Sequence, residues 1–539
     1  MQYVYEEASH RELIQQTWFA KLAAWSDAFW AAPVLRSVTA RVLTLVGVAL
    51  ICLARVYGGL HLVSYYTHDL FTFIDGAWRM YHGQRPHVDF YSGMGLFSYL
   101  QCEMGLLLSH WRVDGMVYGT VIVAALCGYA AYALCRQRTA DMPCILMTLF
   151  TTLLAVAPFN IGESPVRITT AMFYNREGYA MLNLILIECM CAPVALTAEL
   201  WGGLLTGVIL ASLLFLKITY SVAAVFLVIA LYLVRKQSVR RWLGIALGGA
   251  SILVAVFVYL GGVSAFWNDM VMVAHAKDMD RWIVQWRFFD VMRYSAAPLV
   301  AFWLSSVLMS GRNATRAVVL RTGLATVGVI VVGLLIIAGN YQEYLTPTNT
   351  ALAIILVSGV LTAAAPAAMR TMFFAWASVL ILVPMLTDGI GVAYTLKLRR
   401  SESARTAELH RFQAPLLANM TSEDHRYVDF FNDGYQLLKR HVRPNDTVIT
   451  LDFLNPYSWA LGLPPAEGGS TWMHYDTNFN DDWHPTAERF FGSASLVLVP
   501  TDPKAQETAK YAVPIYGNYL HQHFRVIDRS NSWDLYRRQ

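Results

Sequence analysis

The 539-residue sequence predicts a polytopic α-helical membrane protein with an α/β domain at its C-terminal end, outside the membrane. Three observations carry that prediction. The composition is 56% hydrophobic against 14% charged, the apolar residues fall in blocks near the length of a bilayer crossing, and the texture of the chain changes after Leu396. A mean hydropathy of +0.42 is far above that of a soluble domain.

A helix needs about 20 apolar residues to cross roughly 30 Å of hydrocarbon. Val42 to Gly59, Val117 to Leu134 and Ile145 to Phe159 approach or meet that length. Ala180 to Ala198, Trp201 to Leu216, Ser221 to Val234, Trp242 to Gly262, Ala296 to Met309, Leu324 to Ala338, Ala351 to Ala368 and Met372 to Leu386 follow. That makes about eleven crossings. Arg36, Arg41, Arg136, Arg138, Arg235, Lys236, Arg240, Arg241, Arg312, Arg316, Arg321 and Arg370 lie in the N-terminal segment or in alternate connections, which are therefore read as cytoplasmic. The connections at 160–178 and 263–293, the long one at 61–116 and the C-terminal region then face outward. The opening MQYVYEEASHRELIQQTWFAKLAAW lacks a basic start, apolar core and cleavage site, so it is expected to be a retained cytoplasmic lead-in.

A net charge of +4 spread over the cytoplasmic connections reports topology and gives no sign of nucleic-acid binding. Of seven cysteines, none follows Cys191, so the C-terminal region is not stapled by disulfides, and the spacings match no zinc pattern. The expected division is a membrane domain over 1–395 and an extracytoplasmic domain over 396–539. In the latter, KLRRSESARTAELHRF is charged and helical. Beyond it YVDFFNDGYQLLKRH (helix), DTVITLDF and SASLVLVP (strands), PKAQETAKYAVPIYGNYL (helix), then HFRVID and SWDLYRR (strands) alternate.

The connection at 61–116 is far longer than joining two crossings requires, and long connections commonly carry function. Leu70, Phe73, Ile74, Ala77 and Trp78 recur at helical spacing, which predicts an amphipathic segment suited to the interface plane. Asp69 stands at its start, where the ordinary role of an aspartate is to cap the helix. GQRPHVDF reads as a turn set by Gly83 and Pro86, then extended chain presenting Asp89 between Val88 and Phe90.

HD at 68–69 with AWRMYHGQRPHVDFYSGMG resembles the first outer loop of the GT-C superfamily, membrane glycosyltransferases that take sugars from polyprenyl-phosphate donors. FYNREGYA at 173–180 and FLKITY at 215–220 extend the resemblance over roughly residues 40 to 260. It implies a GT-C-like membrane fold, Asp69 as catalytic base and Asp89 as second acidic position. Arg79 and His87 in the first motif, Asn175 and Arg176 in the second, and Lys217 and Tyr220 in the third become candidate substrate contacts. Many family members carry two adjacent acids in this loop, whereas Asp69 is flanked by His68 and Leu70, which argues against a carboxylate-bound metal.

The chemistry asks for the same residue types. Glycosyl transfer from a lipid phosphate passes through an oxocarbenium-like state, and one carboxylate serves an inverting step because phosphate departs without a general acid. Cations must hold that phosphate. Lys217 is the only lysine between Lys21 and Lys236 and stands at the outer end of a crossing, where either snorkelling or an anionic partner accounts for it. Arg176 and Arg167 are further phosphate candidates, with Glu163 and Glu177 as competing protein partners.

LDFLNPYSWALGLPPAEGGSTWMHYDTNFNDDWHP, residues 451–485, is rich in aromatic, Gly, Asn and Asp residues, a surface suited to stacking on pyranose rings or simply a packed loop. His474, Asp476, Asp481, Asp482 and His484 match no ligand spacing, so no metal or other cofactor is assigned. HAKDMDRWIVQWRFFD at 275–290 suits an interfacial helix with Trp282 and Trp286. The expectation is a bacterial inner-membrane inverting glycosyltransferase, N-terminus cytoplasmic and C-terminal domain periplasmic. Its partners would be a polyprenyl-phosphate-linked sugar donor, an acceptor that is a glycolipid, polysaccharide or protein, and membrane lipids, with no nucleic acid. The alternatives are a transporter or flippase of lipid-linked sugars, or a non-enzymatic envelope scaffold. Inverted repeats and mid-membrane breaks, the marks of a transporter, are not evident.

Overall fold

A computed structural model describes residues 38–63, 67–193, 197–235, 237–277, 287–310, 315–340, 342–360, 367–405, 410–418, 420–501 and 508–539. Helices α1 (Val38–Gly58), α2 (Leu70–Tyr81), α3 (Leu96–Leu108), α4 (Gly115–Cys135), α5 (Asp141–Val156), α6 (Phe173–Met190), α7 (Thr197–Leu216), α8 (Ile218–Val234), α9 (Val239–Leu260) and α10 (Ser264–Ala276) come first. Next come α11 (Arg287–Val291), a π-turn at Met292–Ala296, α12 (Ala297–Ser310), α13 (Arg316–Gly339), α14 (Thr348–Val360) and α15 (Ala367–Arg405). Each predicted crossing overlaps one of these helices, although those at 180–198 and 351–368 run past the ends of α6 and α14 across residues outside the description. Seven described helices are long and apolar enough to cross a membrane, and α3, α5, α8 and part of α14 are shorter apolar helices. The chain is a multi-pass membrane protein.

The bundle has two unlike ends. At one, Arg138 and Arg241 converge on the buried Glu188 and Arg235 pairs with Glu199 at 2.8 Å. At the other stand the 61–116 connection, the start of α6, the α7–α8 junction and the C-terminal domain. Close backbone packing sets the α7–α9 crossing: a Cβ on Gly203, Gly207, Gly244 or Gly248 would meet a carbonyl oxygen of the facing helix at 2.1–2.4 Å. These are two small-xxx-small stripes facing one another, the arrangement that lets membrane helices approach closely.

The residues from 410 onward add β1 (His410–Arg411), β2 (Thr421–Ser422), α16 (His425–His441), β3 (Val448–Thr450), α17 (Tyr457–Ala460), α18 (Ala487–Phe491), β4 (Leu496–Pro500), α19 (Ala509–His523), β5 (Phe524–Arg529) and β6 (Trp533–Arg538). The four-stranded sheet runs β3-β4-β6-β5, with β3 and β4 parallel and the other neighbours antiparallel. All four predicted strands are present. α15 continues unbroken past residue 395 to Arg405, so the chain enters this domain from within a helix.

The interfacial segment expected at 70–81 is a helix, but Leu70 through Arg79 are all buried. α2 is a wedge between the two halves of the molecule. Phe71 stacks on Phe431 of α16 at 5.5 Å, while Phe73 packs on Phe173 of α6 at 4.5 Å. Gly76 admits the Tyr99 ring of α3, which a Cβ would strike at 2.1 Å. Gly83, at φ 84°, takes the left-handed conformation that ends the helix. Trp282 and Trp286 of the interfacial helix proposed at 275–290 lie outside the described residues.

Candidate active site

Asp69 occupies the position where a capping side chain would stand, yet its backbone is already helical (φ −57°, ψ −24°) and its carboxylate makes no capping bond. Its backbone carbonyl accepts from the Thr72 N–H at 3.2 Å, leaving the carboxylate for another use. That side chain is 19% exposed, with the His68 Nε2 3.2 Å from Oδ1. Burial pushes the Asp69 carboxyl above its ordinary range, and His68 partly opposes the shift.

The C-terminal domain supplies one side of the surroundings of this pair. The His68 ring meets the edge of Phe453 at 5.1 Å and Tyr427 at 5.7 Å. Phe453 in turn packs against His474 at 5.5 Å and Trp472 at 6.2 Å. Asp452 and Asp69 both act electrostatically on Tyr427. Burial raises the Asp452 carboxyl to about 7. The aromatic stretch singled out at 451–485 is therefore brought to the residue singled out at 69.

The membrane half supplies the other side. Tyr174, in electrostatic reach of Asp69, accepts a hydrogen bond from Lys217 Nζ at 3.1 Å, and the ammonium lies 4.5 Å from the centre of its ring. Met172, at φ 55°, turns the chain into α6 and sets Tyr174 here, a left-handed conformation that costs a non-glycine residue about 1 kcal/mol. Lys217 occupies a one-residue extended break between α7 and α8. Among the described residues it has no carboxylate partner, and the charge acting on it is that of a second cation, Lys277. Lys277 donates to the Gly339 carbonyl at 2.9 Å. Nearby, Tyr220 donates to Asn175 Oδ1 at 3.1 Å, a buried bond that clamps the start of α8 to the start of α6 and so holds Tyr174 and Lys217 together.

Other predicted site residues are engaged elsewhere. Arg176 is buried and donates to Asp388 Oδ1 at 2.9 Å and to the carbonyls of Phe159 and Leu154. Arg167 is exposed in the turn before α6. Arg79, fully buried, bonds Asp75 at 2.8 Å and the carbonyls of Ala466 and Gly468 at 2.7 and 2.9 Å. His87 bonds Asp269 at 3.1 Å, and Arg489 reaches the same carboxylate at 2.9 Å. Asp89 accepts from the Arg85 N–H at 2.7 Å and closes the Arg85–Asp89 turn. Arg79 and His87 thus fasten the first connection to its neighbours, and none of these residues touches Asp69 in the described contacts. Among the described residues no three His, Cys, Asp or Glu side chains converge as metal ligands would.

His68, Tyr174, Lys277, Tyr427, Asp452 and Phe453 were not anticipated as site residues. Tyr174 lies inside FYNREGYA and His68 beside Asp69, so both were legible as neighbours. Tyr427 and Asp452 belong to elements that only the packing of α2 brings close.

No family model matches the chain, and no curated protein matches it in sequence. Among solved structures, ArnT from Cupriavidus metallidurans bound to undecaprenyl phosphate is similar over 93% of this chain and 98% of that one, at 12% identity and a TM-score of 0.50. Its apo state gives 12% and 0.46 over 92% and 98%. The archaeal oligosaccharyltransferase AglB from Archaeoglobus fulgidus, in complex with an inhibitory peptide and a dolichol-phosphate, gives 10% and 0.33 over 92% and 74%. At such identity the first likeness is one of architecture, and it extends over nearly the whole of both chains. The fold of this protein is similar to that of ArnT.

Proposed function

We propose that the chain is a membrane glycosyltransferase that moves a sugar from a polyprenyl-phosphate donor to an acceptor hydroxyl, with Asp69 as general base. The observation that carries this reading is the pairing of two incomplete sites. A carboxylate unused by its helix and a lysine that has, among the described residues, no carboxylate partner both act on Tyr174, at the end of the bundle that bears the C-terminal domain. A carboxylate can take the acceptor proton, and a desolvated ammonium calls for an anion.

In the step, the acceptor O–H proton passes to Asp69 as the oxygen bonds the anomeric carbon. The bond from that carbon to the phosphate oxygen breaks, and polyprenyl phosphate leaves with the electron pair. Attack opposite the phosphate inverts the anomeric centre. Lys217, with Lys277 beside it, stabilises the phosphate charge, while the Phe453 and Trp472 faces suit a pyranose ring. Arginine-rich connections at the opposite end support a cytoplasmic assignment for that end and a periplasmic one for the site, in a bacterial inner membrane. ArnT, the neighbour of like fold, was solved with undecaprenyl phosphate, a lipid phosphate of the proposed donor class.

The test is sugar transfer in membranes supplied with lipid-linked donor. Asp69→Asn should abolish transfer at unchanged protein level. Full activity in that variant removes Asp69 from the base role. Lys217→Ala should lower donor use far more than expression, whereas parallel loss of both means the lysine only supports the fold.

A further inference from the structure

A cavity of about 290 Å³ opens at the carboxyl end of α1, lined by residues that include Gly59, His61, Arg112, Asp114 and Arg399. None of these residues belongs to the surroundings of Asp69 described above. Gly58 lets α15 approach, since a Cβ there would strike the Thr395 hydroxyl at 2.1 Å, and the same approach brings Arg399 over the Tyr57 ring at 4.5 Å. Arg399 Nη1 donates to the Tyr57 carbonyl, and Arg55 Nη1 donates to the Gly59 carbonyl at 2.5 Å. Arg55 is 3% exposed and its Nε has no protein partner. His61, buried in the wall, lies in the combined field of Arg55, Arg399 and Asp114. Arg112 completes the rim, 3.6 Å from Asp114.

Capping of α1 by arginine explains part of this cluster, because a helix carboxyl end carries about half a negative charge. It does not explain why Arg112 and Arg399 line an open space with Asp114 as the single acid in the wall, and with Arg55 bonded to the lining residue Gly59. The positive excess of Arg112, Arg399 and the adjoining Arg55 over that one acid asks for an anion with several acceptor oxygens. The location selects its source. α1 leaves the bundle here, Tyr57 beside it is 55% exposed, and the space lies where helices meant for lipid give way to the C-terminal domain.

We propose that this cavity holds the phosphate head group of an anionic membrane lipid, phosphatidylglycerol being the probe. The full-length protein, purified in detergent and supplied with phosphatidylglycerol or phosphatidylcholine, is read by native mass spectrometry for retained lipid. The wild type should retain phosphatidylglycerol preferentially. Arg112→Ala and Arg399→Ala should each weaken retention about fivefold, and Asp114→Asn should strengthen it by a similar factor. The opposite signs of Arg112→Ala and Asp114→Asn, both at the half-exposed rim, separate binding from folding even if Arg399→Ala is unstable. Equal retention of the two lipids, or variants indistinguishable from wild type, overturns the proposal. Displacement of the lipid by inorganic phosphate in the buffer also overturns it, by making the occupant a soluble phosphate.

Discussion

A carboxylate one residue ahead of a helix ordinarily caps it, and Asp69 does not because its own backbone has already entered the helical region. What remains is a partly buried acid beside an imidazole, with its ionisation displaced upward by desolvation. A base acts only when ionised, so the acid limb of the rate against pH should lie above the usual carboxylate range. A profile of kcat/KM for transfer that turns down near pH 4, as for a free aspartate, would contradict this. Asp452 yields a stability prediction. Its folded carboxyl titrates at about 7 against an ordinary 3.8, so the native state holds its proton longer than the unfolded chain does. Stability should therefore decline as pH rises from about 4 to about 7 and level off above. Asp452→Asn should flatten that decline in thermal melts. The sequence points to Asp69 through the resemblance of its loop, and to Lys217 because an isolated charge beside an apolar run is conspicuous. Asp452 lies in the aromatic stretch at 451–485 without standing out within it, and Tyr427 sits in ordinary soluble-domain sequence, so the relevance of both individual residues arises from packing.

The elements that position the site are those the apolar pattern predicts best, since burial follows hydrophobic periodicity. The pattern misplaces α2 because a moment on one side of a helix does not reveal that the polar side is buried as well, with Asp75 and Arg79 paired inside. The α7–α9 crossing rests on Gly203-xxx-Gly207 and Gly244-xxx-Gly248, a spacing that does not stand out in the sequence because its meaning depends on the two stripes facing one another. Gly207→Leu should force the helices apart and cost about 1–3 kcal/mol or more, read as a lower melting temperature in detergent. Because α7 ends at Lys217, the same substitution should also impair donor use.

At the scale of the whole molecule the two halves share one hydrophobic core, in which Leu70, Phe71 and Phe73 of α2 sit with Phe431 and Trp459 on one side and Tyr174 and Tyr179 on the other. Arg79 ties them further through bonds to Ala466 and Gly468. Replacing it with methionine would leave Asp75 buried without its cation, at a cost of about 3–5 kcal/mol, and should release the C-terminal domain to limited proteolysis. Unchanged protease resistance would mean that the apolar wedge alone suffices. Strand β6 lies between β4 and β5 in the sheet, although both are synthesised before it. Nascent chains therefore hold two separated sheet fragments until residues 533–538 have been translated, and Asp452 rests on that sheet through β3. The surroundings of Asp69 are in this way tied to the strand of the sheet that is made last, so that Asp452 is set in place only when β6 has joined its two neighbours.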